Sequence, residues 1–518
     1  MTCLRWRIAV LLATAATPVV FGQATTPSGA TRVLRVISAA DDGGSGTLRW
    51  AIEASNATSA RERVEIELPP EGAQVIVLKS ALPPIKGPIQ IEGVAWRRTG
   101  EHTVIDGSGY IAPGGPENCP GATPGQYGAN VRTMTNPGLQ VIDTDDVEIV
   151  GVEIRRFCIG VLVNRSTRVV LRDSRIVENR GGAGVMLTGD DGQGNPTSTT
   201  TVHNTVMRNE FVDNGDGLEL TRGAAFNVVA DNVFRSTAAN PEPAQGIEIL
   251  RGNDNVVSGN LFDGYSDGLQ INWGDRNYIV ANTFTNNAFG LSLSGLGNIV
   301  DRNVITGNRV GIAVRPAEPS PLVRLTRNRI SGNGREILRC EGGGTCDPKA
   351  PKGPMGFGVP GLEHAGFIGS RGGGVSSNAS TLQSICPQPA PRCQPAPNGG
   401  LQPPTLSTAR DDGEEITVSG TIAGAPSSHY VVELFGNTAR TSAEAEVFIA
   451  PTPAYTDASG HGSFKVRVGR LREAPAVQSV TATMTSADGA TSPLSSARVV
   501  DSPGRAHGPA NRGTRVKR

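Results

Sequence analysis

The stretch Gly246–Val310 reads G-I-E-I-L-R-G-N-D-N-V-V-S-G-N-L-F-D-G-Y-S-D, then G-L-Q-I-N-W-G-D-R-N-Y-I-V-A-N-T-F-T-N-N-A-F, then G-L-S-L-S-G-L-G-N-I-V-D-R-N-V-I-T-G-N-R-V. Each line opens with Gly-Φ-x-Φ, where Φ is apolar, and the openings at Gly246, Gly268, Gly290 and Gly311 stand 22, 22 and 21 residues apart. A repeat of this length is the signature of a solenoid coil. Earlier copies open at Gly138, Gly160, Gly184 and Gly217 with G-L-Q-V, G-V-L-V, G-V-M-L and G-L-E-L.

Within each opening the Φ residues alternate, so pairs such as Leu218 with Leu220 and Ile247 with Ile249 point inward. A second strand begins at Asn227, Asn255, Asn277 and Asn298, and a third at Asn209, Asn232, Asn260, Asn282, Asn303 and Asn328. Three short strands per coil predict a parallel β-helix. The asparagines belong to that architecture, because Asn tolerates left-handed backbone and its amide can bond the neighbouring coil.

The 518 residues leave room for more than the solenoid, and 66 glycines with 4% aromatics mark a chain of turns and short strands. Lys plus Arg and Asp plus Glu both number 48, so bulk charge offers nothing to a nucleic acid. Residues 1–24 read as an export signal, with Arg5 and Arg7 before the apolar run Ile8 to Ala16. No later run is long enough for a membrane span, and a secreted, cell-surface or periplasmic monomer is expected. Outside the signal the six cysteines suit an oxidising compartment. Cys340 is paired with Cys346, Cys386 with Cys393 and, by elimination, Cys119 with Cys158; zinc ligation is the competing reading.

Thr47 caps a short helix whose Leu48, Ala51, Ile52 and Ser55 share one face, suited to covering the open end of a solenoid. The domains expected are a β-helix over 30–339, with its cap at 33–60 and regular coils at 138–335, then a disulfide-bearing Gly/Pro-rich cap and linker at 340–400. Longer alternating strands over 401–500 predict an antiparallel immunoglobulin-like sandwich, and a basic tail, 501–518, is expected to be disordered. The fold class is thus all-β: a right-handed parallel β-helix with a short N-terminal capping helix, followed by a small sandwich.

D-x-G-x-G-T-L-R-x-A-I from Asp42 to Ile52, L-P-P-I-x-G-P-I-x-I-x-G from Leu82 to Gly93, V-I-D-G-S-G from Val104 to Gly109 and N-G-G-L-Q-P-P-T-L from Asn398 to Leu406, together with the coils, resemble one family. It is the secreted bacterial right-handed parallel β-helix proteins of the pectin-lyase-like superfamily, many of which end in a small β-sandwich. The dense catalytic signatures of its hydrolases, calcium lyases and epimerases are absent from the sequence.

Candidate chemistry lies on the outward positions of the first strand. The x of Gly-Φ-x-Φ reads Leu162, Met186, Glu219, Glu248, Gln270, Ser292 and Ala313. Arg222, Arg251 and Trp273 stand three residues further on, and Asp216, Gln245 and Asp267 precede the opening glycines. Neighbouring parallel strands lie about 4.8 Å apart, so Glu219 and Glu248 should be adjacent and one of the two pKa values raised. Glu219, Glu248, Asp216 and Asp267 are the candidate acids and bases; Arg222, Arg251, Gln270 and Trp273 are the candidate substrate contacts, the arginines for carboxylates and the indole for a ring face. The intervals Gly184 to Gly217 and Gly217 to Gly246 grow to 33 and 29 residues, so loops protrude beside this face. The expected function is the binding, or cleavage, of an acidic polysaccharide or cell-surface glycan on a solvent-exposed face. The enzyme class would then be a polysaccharide lyase or glycoside hydrolase; the alternative is a non-catalytic surface scaffold or adhesin. No cofactor is required, and calcium is the one ion considered, at D-T-D-D (Asp143 to Asp146) or G-D-D-G (Gly189 to Gly192).

Overall fold

Parallel strands need a partner on each edge and cover on each face, and a coil of three short strands meets both needs only by stacking on its neighbours. The computed structural model describes residues 32–70, 74–111, 137–180, 182–190, 198–240, 243–315, 319–334, 397–469 and 476–502, with the backbone alone of the strand Leu382–Ser384. The export signal, Cys119, Cys340, Cys346, Cys386 and Cys393, nearly all of the expected linker and the basic tail beyond residue 502 lie outside these residues.

Three parallel sheets of 11, 10 and 9 strands run along a β-solenoid of about nine turns. The register is the one the repeat predicts: Leu218 pairs with Ile247, Ile247 with Leu269, Leu269 with Leu291 and Leu291 with Ile312. These side chains are fully buried and form a file through the core. Beside it Phe211, Phe234, Phe262 and Phe284 stack with centroids 4.4, 4.9 and 4.7 Å apart, the spacing of the strands that carry them. The opening glycines are required by close approach: a Cβ on Gly246 would lie 2.5 Å from the carbonyl oxygen of Gly268.

Asparagines clamp the coils. The Asn282 Nδ2 donates to the Val257 carbonyl at 2.9 Å and to Asn303 Oδ1 at 3.0 Å, while its own Oδ1 accepts from the Asn260 backbone N–H at 2.9 Å and from Asn260 Nδ2 at 3.0 Å. One buried side chain thereby ties several coils, and removing it strands a backbone N–H and a carbonyl. Asn282→Ala is expected to lower unfolding free energy by about 2–4 kcal/mol, at a cost of about 1–3 kcal/mol per unsatisfied group; urea unfolding measures this, and a loss under about 0.5 kcal/mol would contradict the clamp.

At the N-terminal end the helix Leu48–Asn56 lies over the first coil, with Leu48, Ala51, Ile52 and Ser55 buried and the Thr47 side chain accepting from the Trp50 N–H. At the other end a three-stranded and a four-stranded antiparallel sheet follow. They pack against the last coils: Ile330 and Ala445 exchange backbone hydrogen bonds at 2.8 and 2.9 Å, and Glu433 accepts from Thr326 Oγ1 and the Arg327 N–H. Phe435, Ala445 and Leu494 join the solenoid core, so the antiparallel region closes its second end.

Candidate active site

The outward residues of the first sheet form one file, as the repeat predicts. Leu162 pairs with Met186, Met186 with Glu219, Glu219 with Glu248, Glu248 with Gln270, Gln270 with Ser292 and Ser292 with Ala313. Their exposure is not the one expected. Glu219 is 7% exposed, Gln270 and Ser292 are each 2% exposed, and Leu162 and Met186 join Ile159 and Ala183 in a small buried apolar cluster. The polar part of the file is therefore short and sunken, bounded by apolar residues on one side and by small residues on the other.

Carboxylate oxygens of Asp216, Glu219 and Glu248 lie within 4.8 Å of one another. Asp216 Oδ1 accepts the Gln245 backbone N–H at 2.9 Å. Burial, and then the charge of Glu248, push the Glu219 pKa up to about 8. Burial also raises that of Glu248, against the Asn272 hydrogen bond and the charges of Arg315 and Arg222. Asp267, fully buried, is pushed up to about 7 by burial against the opposing charge of Arg315. Asp267 Oδ2 accepts from Ser266 Oγ at 3.1 Å, Ser292 also acts on this carboxyl group, and Oδ1 makes no hydrogen bond among the described residues.

The sequence-predicted cations and indole sit at the strand exits. Arg222, Arg251 and Trp273 have φ of 23°, 58° and 54°, left-handed values that turn three successive exits alike. Arg222 Nη1 bonds Asp190 Oδ2 at 3.1 Å. The Arg251 guanidinium lies 5.9 Å from the Trp273 ring centroid, and both side chains are exposed, so the pair stands at the surface where two successive strands end. The structure thus groups Asp216, Glu219, Glu248 and Gln270, buries Asp267 fully, brings the charge of Arg222 to bear on both glutamates, and leaves Arg251 and Trp273 exposed at the strand exits.

Asn272 and Arg315 escaped the sequence reading. Asn272 Nδ2 donates to Glu248 Oε1 at 2.7 Å and to Gln270 Oε1, and Arg315 Nη2 donates to Asn272 Oδ1 and, at 2.9 Å, to the Ile271 carbonyl. Both stand four residues after an opening glycine, a position that strand parity places on the same outward face as the x residues. That parity was the available signal. Of the calcium candidates, Asp143 pairs with Arg165, Asp146 with Arg168 and Asp190 with Arg222, while Asp191 and Gly192 lie outside the described residues. Cys158 is disulfide-bonded, and its partner falls outside the described residues.

The chain shares 51% identity over 462 residues with the 3-dehydroshikimate dehydratase of Acinetobacter baylyi, across 88% of this chain and 93% of that protein. The chain belongs to that dehydratase's family. The family corrects two expectations, a polysaccharide-binding or scaffold role and a lyase or glycoside hydrolase activity. The burial agrees with the correction, since a polymer track needs carboxylates open along a groove and these are sunken within a few coils. A family model described as periplasmic copper-binding protein (NosD) matches residues 124–318 and 235–342. The donors here do not fit copper: Asp216, Glu219 and Glu248 offer hard oxygen ligands, with no His, Cys or Met among them. Among solved structures, the complex of XylC with xylose aligns with 84% of this chain and 100% of its own at 11% identity and a TM-score of 0.35. An alginate lyase from Paenibacillus aligns with 58% of this chain and 97% of its own at 15% identity and a TM-score of 0.33. Such scores say nothing of the chemistry. No helix among the described residues is long and apolar enough to cross a membrane.

Proposed function

We propose that the protein dehydrates 3-dehydroshikimate, a small cyclic keto acid, at the carboxyl cluster on the first sheet. The observation that carries this reading is the 51% identity to a dehydratase of that substrate over 88% of the chain. The site's chemistry supports it. Loss of water from a β-hydroxy ketone needs a base for the proton beside the ketone and an acid for the departing hydroxyl. Glu248, hydrogen-bonded by Asn272 and facing Arg315 and Arg222, is assigned as the base. Glu219, whose pKa burial raises to about 8 and which lies beside Glu248 and Asp216, is assigned as the acid. The C–H bond breaks to Glu248, the electron pair passes through the enolate to form C=C, and the C–O bond breaks as the hydroxyl takes the acid's proton and leaves as water. The resulting unsaturated keto ring enolises to an aromatic acid. Gln270 Nε2, a buried donor with no partner among the described residues, is assigned to the developing enolate oxygen.

The exposed Arg251–Trp273 pair is assigned to the two ends of such a ligand, the guanidinium to its carboxylate and the indole to its flat ring. Arg251→Ala is expected to raise KM about tenfold with kcat changed less than about threefold, as loss of one charge-assisted contact implies; an unchanged KM would remove Arg251 from the substrate. The proposed setting is outside the cytoplasm, supported by the signal-like residues 1–24, the disulfide at Cys158 and the periplasmic description of the matching family. The experiment is a direct assay: purified protein with 3-dehydroshikimate, followed by aromatic ultraviolet absorbance and by mass spectrometry for loss of one water. Turnover supports the reading, and no product from folded protein overturns it.

A further inference from the structure

Asn272 sits between three groups that the proposed reaction uses or leans on. Arginine can only donate, so the Asn272 oxygen must face Arg315 and its NH2 must face the other way. There it meets Glu248 Oε1 at 2.7 Å and Gln270 Oε1. This fixes Gln270 in turn: its oxygen is taken by Asn272, and its Nε2 is left as the buried donor without a partner among the described residues. The orientation of one amide therefore decides which atom of Gln270 faces the ligand and which carboxyl group is offered a donor.

We propose that Asn272 is a positioning residue, anchored by Arg315, that holds Glu248 as the ionised base and turns the Gln270 amide so that its NH2 meets the developing enolate. This inference rests on the dehydratase reading. The charged groups facing Glu248 are Glu219 and Arg222 from the coil before it, with Asp216 of that coil in the same carboxylate cluster, Asp267 of the coil after it, and Arg315 two coils further on. The anionic neighbours favour a proton on Glu248. Asn272 opposes them by hydrogen bonding, and Arg222 and Arg315 by charge, so removing Asn272 tips the balance toward protonation and frees Gln270 to turn its oxygen inward.

The test uses Asn272→Ala and the isosteric Asn272→Asp in the full chain. Both are expected to move the acidic limb of kcat/KM upward by about one pH unit or more, which at low pH is about a tenfold loss added to any pH-independent one. KM is expected to change less than kcat, because Gln270 acts on the enolate and not on the bound ketone. A loss of rate equal at all pH values, with the limb unmoved, overturns the proposal, as does wild-type behaviour of either variant. Infrared difference titration of the protonated-carboxyl band, which needs no substrate, provides the second readout: its midpoint should rise in Asn272→Ala, and an unmoved midpoint overturns the role of Asn272. If the wild-type protein does not turn over 3-dehydroshikimate, the dehydratase reading falls, and the infrared midpoint still decides whether Asn272 sorts the protons.

Discussion

Glu248→Gln is expected to lower kcat for 3-dehydroshikimate by about 10²–10⁴-fold, the range for removal of a general base, while the protein stays folded. The amide keeps the shape and the acceptor oxygen toward Asn272 but cannot take a proton. Glu248 is one coil from Glu219, so the substitution also removes a neighbouring negative charge, and the Glu219 pKa should fall from about 8 toward the ordinary carboxylate range. Steady-state kinetics across pH, with circular dichroism to confirm folding, are the measurements. Retention of more than about a tenth of wild-type kcat would take Glu248 out of the chemistry, whereas loss with unfolding would say nothing of the role and is separated by the dichroism.

Glu219→Gln carries the second large effect, on activity and on the pH dependence of stability together. Its folded pKa is raised by burial to about 8, against an ordinary value of 4.5. Between those values the folded state binds more protons than the unfolded state, so wild-type stability falls as pH rises through the window and is level on either side. A glutamine has nothing to titrate. The variant should therefore show a flatter Tm from about pH 5 to pH 8, and at about pH 8 it should melt above wild type, because a buried charge with a like neighbour has been removed. Its kcat should fall about 10²-fold or more through loss of the acid. Differential scanning calorimetry at several pH values checks the first effect; parallel Tm–pH curves for the two proteins would mean that Glu219 titrates as an ordinary carboxylate.

Much of this was legible along the chain because a solenoid turns sequence spacing into spatial adjacency. Once the openings at Gly217, Gly246 and Gly268 were aligned, strand parity and the interstrand distance placed Glu219 beside Glu248 and Glu248 beside Gln270, and the structure has them so. The cap residues Thr47, Leu48, Ala51, Ile52 and Ser55 were legible for a similar reason, since helix periodicity and capping are local. Asn272 and Arg315 stand at the fourth position after each glycine, which shares the outward parity of the carboxyls, whereas the strand exits that draw the eye are at the fifth, where left-handed backbone leaves Arg251 and Trp273 exposed.

The sequence by itself determined the coil, its register and which carboxyls are neighbours, because these follow from a period of about 22 residues and the alternation of a strand. Only the tertiary structure decided that the outward face is sunken, that burial raises the Glu219 pKa, and that Arg315 reaches back to Asn272 from a coil 43 residues away. Those properties depend on side-chain direction and on what covers a face. A repeat specifies which residues stack, but not how deeply they lie, and depth is what separates paired surface charges from an acid and a base.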